Sequence, residues 1–573
     1  MTVNALTRLK QASLIVMSIL NLVYMHYGII TTNETEFPLD SASFIDNLTG
    51  IIFDTIIIYL IACLLTIGKF KPAAAVTFIL TSIWSFCNIF YSRFFNSYLT
   101  VSAIGQGTSI FDPLVFNAAV MGFEWQDIIF ILLSVLFFFI YKRMKSEKIG
   151  RTIIVLCLSL VIFIIFDLTA HAIYCYSIPE CRYLSYYKDR LVARHFAEHA
   201  RLCDPIITTY HRGIIRTISY DIVEEFLGEK KLSNSQKAAI FDAMKESRES
   251  MSPFTTLANN DKNIIFIIVE SYMSFTSDMK VQGKEITPFL NSLRHDSTVY
   301  YNGHIAPNIT IGESADGQYI YMTGLLPLRS VITVSKAKNK TLPGLPKQLK
   351  TQGFKSRMTI PTQPTLWNQS AMCIQYGFTQ LFSAKDYGDK TKQELNDQEV
   401  FELASIADAK NKQEKIFSVI LTVSMHYPYI EPIDSSFTLK EDSLSTELRN
   451  YLIACHYTDR CIGEYFKKLK RSGLYDKSMI IIAADHHVHS TDFGMGINND
   501  LPLYIINGGI DNHTSWHGSC NQMDVYTTLL NILDIKTEWC GLGHSLLRAD
   551  YQNSLNDTKW TISEWILRSN FFN

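Results

Sequence analysis

Apolar residues fall into runs of two lengths, and the lengths divide the chain. In the first third the runs are long: 11–30, 50–68, 73–92, 126–141 and 152–174. A hydrocarbon core of roughly 30 Å needs about 20 helical residues, so these runs predict a five-helix transmembrane bundle over 1–175. Beyond residue 262 the runs shorten to 263–269, 417–423, 479–484 and 501–506. Short, unbroken apolar stretches mark strands buried on both faces. Helical patterns separate them, one opening at Thr287-Pro288 and others near 342–352, 365–376, 445–472 and 523–533. Strands alternating with helices predict an α/β domain over 259–573, its mostly parallel sheet covered by helices on both faces. The polar, helix-prone stretch 176–258 reads as a juxtamembrane connector.

Basic residues orient the bundle. Arg8 and Lys10, then Lys69 and Lys71, then Lys142, Arg143, Lys145, Lys148 and Arg151 mark alternate ends of the runs, while 31–49 and 93–124 are poor in Lys and Arg. The positive-inside rule therefore places the N-terminus in the cytoplasm and, after five spans, the α/β domain outside. The first run is long for a cleavable signal and is read as a retained helix. Asp54, Asp167 and His171 interrupt the spans and are expected at the headgroup level, snorkelling or touching substrate. Composition agrees with the membrane assignment. The 573 residues are 47% hydrophobic and 18% charged, with a net charge of −2, which excludes a disordered chain and gives no electrostatic basis for binding nucleic acid. No repeat period stands out. Cys175, Cys181, Cys203, Cys373, Cys455, Cys461, Cys520 and Cys540 fall in the exported part, where an oxidising compartment permits disulfides.

Candidate chemistry follows from the strand ends. In parallel sheets, ligands bind beyond the carboxyl ends of the strands. There the chain places Glu270-Ser271, Ser424-Met425-His426 and Asp485-His486-His487. Two carboxylates and an imidazole form a mixed oxygen–nitrogen set suited to Mn²⁺ or Zn²⁺. A fourth ligand that doubles as nucleophile is best supplied by Ser314, in Gly312-Glu-Ser-Ala-Asp-Gly-Gln318, where a helix begins and its N-terminus favours phosphate.

These residues resemble the lipoteichoic acid synthase-type phosphoglycerol transferases of the sulfatase/alkaline phosphatase superfamily. The likeness rests on Val269-Glu270-Ser271, Glu285–Leu293, Gly312-Glu-Ser314-Ala-Asp316, Trp367-Asn368, Ser424-Met-His426, Asp485-His486 and Gln522-Met-Asp524. It implies one divalent ion, Mn²⁺ first and Zn²⁺ or Mg²⁺ as alternatives, held by Glu270, Ser314, Asp485 and His486. Ser314 and His426 would be catalytic. Trp367, Asn368, His426 and His517 would bind substrate. The implied reaction moves a phospho-alcohol, phosphoglycerol foremost, from a phospholipid donor to a hydroxyl on a glycolipid, glycan or polymer through phospho-Ser314, without a nucleotide. The implied site of action is the outer face of a bacterial cytoplasmic membrane. Two departures stand out: Ser replaces the family's usual Thr at 314, and Gln369 stands where the family has an arginine, so a bidentate phosphate clamp is missing.

Three other readings compete. A phosphoethanolamine transferase acting on lipid A or a surface glycan shares the fold but normally carries a Thr-centred motif. A sulfatase needs Cys or Ser followed by x-Pro-x-Arg, and Ser314 is followed by Ala-Asp-Gly-Gln. A non-catalytic scaffold is disfavoured because the whole candidate ligand set is retained.

Overall fold

The structure is a computed structural model. It describes residues 3–32, 41–95, 98–99, 123–145, 147–148, 209, 213–226, 231–251 and 262–573, apart from isolated positions and short stretches that include 410–413, 430–435, 489–492, 494–497 and 511–514. Of the fifth expected span only a few positions are described, and Asp167, His171, Cys175, Cys181, Cys203, His489 and His513 lie outside the described residues. The chain divides into two compact units, 1–228 and 229–573.

The first unit contains α1 (Val3–Thr32), α2 (Ser41–Leu65), α3 (Phe70–Phe95) and α4 (Ile128–Lys142). α1, α2 and α3, and the segment Trp125–Lys142 that ends in α4, each offer a stretch of 18 to 24 residues apolar enough to cross a membrane. Its polarity is that of a membrane bundle. Leu64, Ile67, Leu132, Phe138 and Phe139 face outward, while Asn21, Thr77, Thr81, Ser85 and Asn88 are buried. Hydrocarbon solvates the former; the latter need partners inside the bundle. Small residues, Ala62, Ala73 and Ala74, sit in the shared core and let backbones approach. Phe78 stacks on Phe137 with ring centroids 4.1 Å apart. Arg93 clamps Asp127 through two hydrogen bonds of 2.7 and 2.9 Å, and the Tyr24 hydroxyl donates to the same carboxylate.

Asp54 departs from expectation. It neither snorkels nor faces lipid: it is fully buried, and its carboxylate accepts from the backbone N–H groups of Ile214 and Ile215 at 2.6 and 3.1 Å. These are orphan donors at the start of α5 (Ile214–Phe226), so Asp54 caps a helix from a distant part of the sequence.

The second unit is built on an eight-stranded sheet. Its strands are β1 (Asn263–Val269), β2 (Tyr300–Ala306), β3 (Lys355–Thr359), β4 (Gln380–Phe382), β5 (Ile416–Leu421), β6 (Ser478–Ala484), β7 (Leu501–Ile506) and β8 (Cys520–Asn521), in the order β8-β2-β7-β6-β1-β5-β3-β4. Every pairing is parallel except the two that β7 makes, with β2 and β6. The expectation of a mostly parallel sheet is met. The central strands β5, β6 and β7 are buried at every position, and β1 at all but its first, which is why they read as unbroken apolar runs.

The long helix α6 (Thr446–Ser472) lays Leu448, Tyr451, Leu452, Cys455, Ile462, Tyr465, Phe466 and Leu469 against the core at three- and four-residue spacing. Asp459 shares that face and accepts from the N–H groups of Phe289 and Leu290 at 2.9 and 2.8 Å, capping α7 (Pro288–Arg294). The five described cysteines of this unit, Cys373, Cys455, Cys461, Cys520 and Cys540, are buried thiols.

Candidate active site

Because β1, β5 and β6 run in the same direction, Glu270, His426 and Asp485-His486 leave the sheet at one edge. The fourth contribution comes from β2, which two antiparallel steps through β7 align with β6. The loop after β2 leads into α8 (Ser314–Thr323), which begins on the serine itself.

That loop is tightly folded around Asp316. Its carboxylate accepts from the Thr310 N–H and hydroxyl and from the Gly312 N–H, at 3.0, 2.7 and 3.0 Å. Asp316 thus shapes the loop that leads into Ser314. A Cβ at Gly312 would stand 2.3 Å from the Asp316 carboxylate, so a larger residue there would displace the carboxylate that holds the loop. Glu313, just before the serine, adopts φ 46° and ψ −121°, a conformation that costs a non-glycine residue strain. The helix then crosses β6 so closely that a Cβ on Gly317 would lie 2.3 Å from the Asp485 carbonyl oxygen.

The result is a compact cluster. Ser314 Oγ donates to Glu270 Oε2 at 3.0 Å and lies 3.1 Å from His486 Nε2. His486 Nε2 is 3.2 Å from Glu270 Oε1. One donor atom each from Glu270, Asp485 and His486 fall within 4.8 Å of one another. The surroundings orient each ligand. The Ser271 hydroxyl donates to Glu270 at 2.8 Å, and the N–H groups of Ser271 and His486 both donate to Asp485 Oδ1 at 2.8 Å. His486 Nδ1 lies 2.6 Å from the His487 carbonyl, which fixes the tautomer and turns the Nε2 lone pair toward the cluster.

Electrostatics fit a cation at this point. Burial and the Glu270 charge push the Asp485 carboxyl up to about 8. Burial pushes Glu270 up as well, but His486 holds it well below the usual range. Burial opposes the charged form of His486, yet Asp485 and Glu270 raise it well above an ordinary imidazole. Glu313, 3.7 Å from His486 Nδ1, is pushed up to about 8 by burial. Glu270, Asp485 and Glu313 outnumber the single imidazole of His486, and a divalent ion held by such oxygen and nitrogen donors would supply the missing charge.

The remaining predicted residues separate. His426, half-buried, lies close enough for its charge to lower the Glu270 carboxyl, and its Nδ1 is 2.5 Å from the Tyr427 carbonyl. Trp367 and Asn368 are half-buried and both in left-handed backbone, φ 50° and 54°, at the entry to α9 (Gln369–Tyr376). Gln369 is buried and donates through Nε2 to Gln318 Oε1 at 2.9 Å. His517 is not brought to the cluster. It is exposed, its Nδ1 lies 2.8 Å from the Tyr301 carbonyl, and its ring packs on Tyr300. Tyr301 pairs with Tyr504 of β7, which pairs in turn with Ile482 of β6, three residues before Asp485, so His517 stands beside the outer strand β2 and is not one of the clustered side chains. Sequence reading missed Thr422, whose hydroxyl accepts the Glu270 N–H at 2.9 Å, as well as Glu313 and Gln318. Of these, only Glu313 carried a signal, its adjacency to the candidate nucleophile.

Fold and site together define a class: a sulfatase-like α/β domain carried behind a set of membrane-length apolar helices. Residues 262–535 match the sulfatase family model. The chain is similar to lipoteichoic acid synthase 2 of Bacillus subtilis, 27% identical over 502 residues, covering 82% of this chain and 73% of that protein. It is similar also to the lipoteichoic acid synthase of Staphylococcus saprophyticus, 25% identical over 557 residues, covering 91% of this chain and 82% of that one. The lipooligosaccharide phosphoethanolamine transferase A of Neisseria meningitidis, an integral membrane protein, shares the fold with a TM-score of 0.55 over 95% of this chain and 99% of its own, at 12% identity.

Proposed function

We propose that this chain is a membrane-bound, metal-dependent phosphotransferase. It moves a phospho-alcohol, phosphoglycerol foremost, from a phospholipid headgroup to an acceptor hydroxyl on a glycolipid, glycan or polymer. One observation carries the reading: the Ser314 hydroxyl sits within 3.1 Å of both Glu270 and His486, where three metal-competent side chains converge at the start of a helix. The likeness to lipoteichoic acid synthases along most of the chain supports it.

Glu270, Asp485, His486 and Ser314 would hold the ion, Mn²⁺ in the first place. Such an ion supplies the positive charge that lets a serine act as an alkoxide near neutral pH. Ser314 Oγ attacks phosphorus, the bond to the diacylglycerol oxygen breaks, and the serine proton leaves with diacylglycerol. His426, from the next strand, delivers that proton or binds the phosphoryl oxygens. An acceptor hydroxyl then attacks the phospho-serine, the P–Oγ bond breaks, and the acceptor proton returns to Ser314. No nucleotide is required, since one phosphate ester is exchanged for another. The domain acts on the outer face of the cytoplasmic membrane, and its spans keep it among the headgroups, raising the local concentration of donor.

The test is mass spectrometry of the full-length protein after incubation with mixed phospholipid vesicles and Mn²⁺. A headgroup adduct on the Ser314 peptide, lost in Ser314→Ala together with diacylglycerol release, is expected. Undiminished release by Ser314→Ala would remove the serine from its role. A phosphoethanolamine adduct would transfer the assignment to the competing headgroup.

A further inference from the structure

Helices that pack closely in a membrane meet through small residues. α1 and α2 do otherwise. Both pack on α3 and touch each other far less, and between them lies a groove of about 260 Å³. Ala12, Ile15 and Ile19 form one wall at helical spacing, and Ile52, Ile56 and Tyr59 form the other. Five of these six side chains are bulky and hold the helices apart. Thr55, between them, spends its hydroxyl on the Ile51 carbonyl at 2.8 Å. A groove walled in this way does not hold water; at membrane depth it is filled by hydrocarbon. Its size decides which kind. A helix is about 10 Å across and rises about 5.4 Å per turn, so a single turn needs roughly 400 Å³. The groove is smaller than that, which excludes another helix, of this chain or of a second copy, and admits a flexible chain. Gln11 and Ile19 mark its two ends on α1, about 12 Å apart along the axis.

The Gln11 end of the groove is basic. Phe70 lines it, and the Phe70 N–H donates to the Glu147 carbonyl at 2.9 Å, while Gln11 Nε2 donates to Glu147 Oε2 at 3.0 Å. These contacts bring Lys69 and Lys148, paired across a short antiparallel bridge, to the end of the bundle where Lys10 precedes Gln11. Lys69 and Lys148 are exposed and Lys10 is half-buried, and the three outnumber Glu147. The positive-inside rule places this end at the cytoplasmic surface, where basic pockets between helices attract anionic headgroups. We infer that the groove between α1 and α2 holds one acyl chain of an anionic phospholipid, whose phosphate lies among Lys10, Lys69 and Lys148. That lipid is bound at the cytoplasmic surface, whereas the proposed donor is met on the outer one, so it is a resident partner and not the substrate. The inference rests on the membrane bundle and not on the transferase reading.

The experiment is native mass spectrometry of the full-length protein in detergent, with EDTA present to strip divalent ions from the Ser314 cluster. The probes are phosphatidylserine, which is anionic, and phosphatidylcholine, which is not; neither carries the glycerol headgroup of the proposed donor. The wild type is expected to retain one phosphatidylserine per chain, at least tenfold in preference to phosphatidylcholine. Ala12 and Ile52 are both exposed at the edge of the groove, so Ala12→Trp and, independently, Ile52→Trp fill it without disturbing the core, and each lowers phosphatidylserine retention about tenfold. Two variants from different helices guard against one that fails to fold, and a thermal melt beside each spectrum identifies it. Lys69→Gln combined with Lys148→Gln removes the preference for the anionic lipid while retention of phosphatidylcholine persists. Equal retention of the two lipids by the wild type, or retention of phosphatidylserine that neither tryptophan lowers, overturns the inference. A tryptophan that converts a dimer to a monomer in the same spectra gives the groove to a second copy and overturns it as well. Diacylglycerol release plays no part in these readouts, so failure here leaves the transferase reading standing.

Discussion

Gly317→Ala adds a single methyl group, yet the geometry around it makes a severe outcome expected. In most helices glycine to alanine stabilises, by about 1 kcal/mol of helix propensity. At Gly317 the new carbon would stand 2.3 Å from the Asp485 carbonyl oxygen and 2.8 Å from the adjoining carbonyl carbon. Ordinary contact begins near 3.4 Å, so α8 must retreat from β6 by about 1 Å, since neither backbone has a flexible end to yield. The overpacking costs on the order of 1–3 kcal/mol, enough to cancel the propensity gain. The catalytic consequence is larger. Ser314 rides on the same helix three residues earlier, and its 3.0 and 3.1 Å contacts to Glu270 and His486 would stretch beyond hydrogen-bonding range. Misplacement by about 1 Å costs on the order of a hundredfold in rate. The assay is diacylglycerol release by full-length protein in vesicles, beside a thermal melt of the same preparation. The expectation is a roughly hundredfold loss of kcat with a melting temperature lowered by a few degrees at most. Release within threefold of wild type would show that helix-to-strand spacing does not govern the serine, and the account of the site would fail with it.

Other expectations follow from single contacts. Asp485→Ala should reduce the divalent metal retained after purification, measured by elemental analysis, because Asp485 is one of three converging donors; unchanged metal content would move the ion elsewhere. Asp54→Ala removes the acceptor for two backbone donors at the start of α5 and should cost about 1–2 kcal/mol, read as a lower melting temperature in detergent; an unchanged melt would refute the cap. Asp459→Asn tests a pH dependence. Burial lifts the Asp459 carboxyl from 3.8 to about 7, so the folded chain binds a proton there that the unfolded chain has lost, and this group's contribution to stability falls as pH rises from about 4 to 7, by at most on the order of 4 kcal/mol. Asparagine does not titrate, so the stability of wild type relative to Asp459→Asn should decline between pH 5 and 7; a difference that is flat with pH would count against the shift.

What the sequence disclosed depended on how each element is buried. β1, β5, β6 and β7 were legible because neighbours on both faces demand apolar residues at every position, and their ends pointed to Glu270, His426 and Asp485-His486. β2 was not legible: its seven residues alternate irregularly between buried and half-buried or exposed positions, with Asn302 and His304 inside it. β3 begins on an exposed lysine, and Arg357 within it is buried against Asp408, so a charged residue interrupts the apolar signal. Missing β2 and the two-residue β8 hid that His517 is held beside β2, against Tyr300 and Tyr301, and is not one of the clustered side chains. The Gln318–Gln369 contact was invisible because nothing local joins residues 51 positions apart.

The single reversed strand, β7, has a practical corollary for anyone wishing to tag or extend this protein. β6 finishes beside Ser314 and β7 starts from that same rim, so the residues just after β6 and just before β7 stand at the edge of the sheet that carries the cluster. The stretch after Ile506 departs from the far rim. A fluorophore or peptide inserted shortly after residue 506 should leave turnover intact, whereas the same insertion just before Leu501 would stand at the rim that carries Ser314.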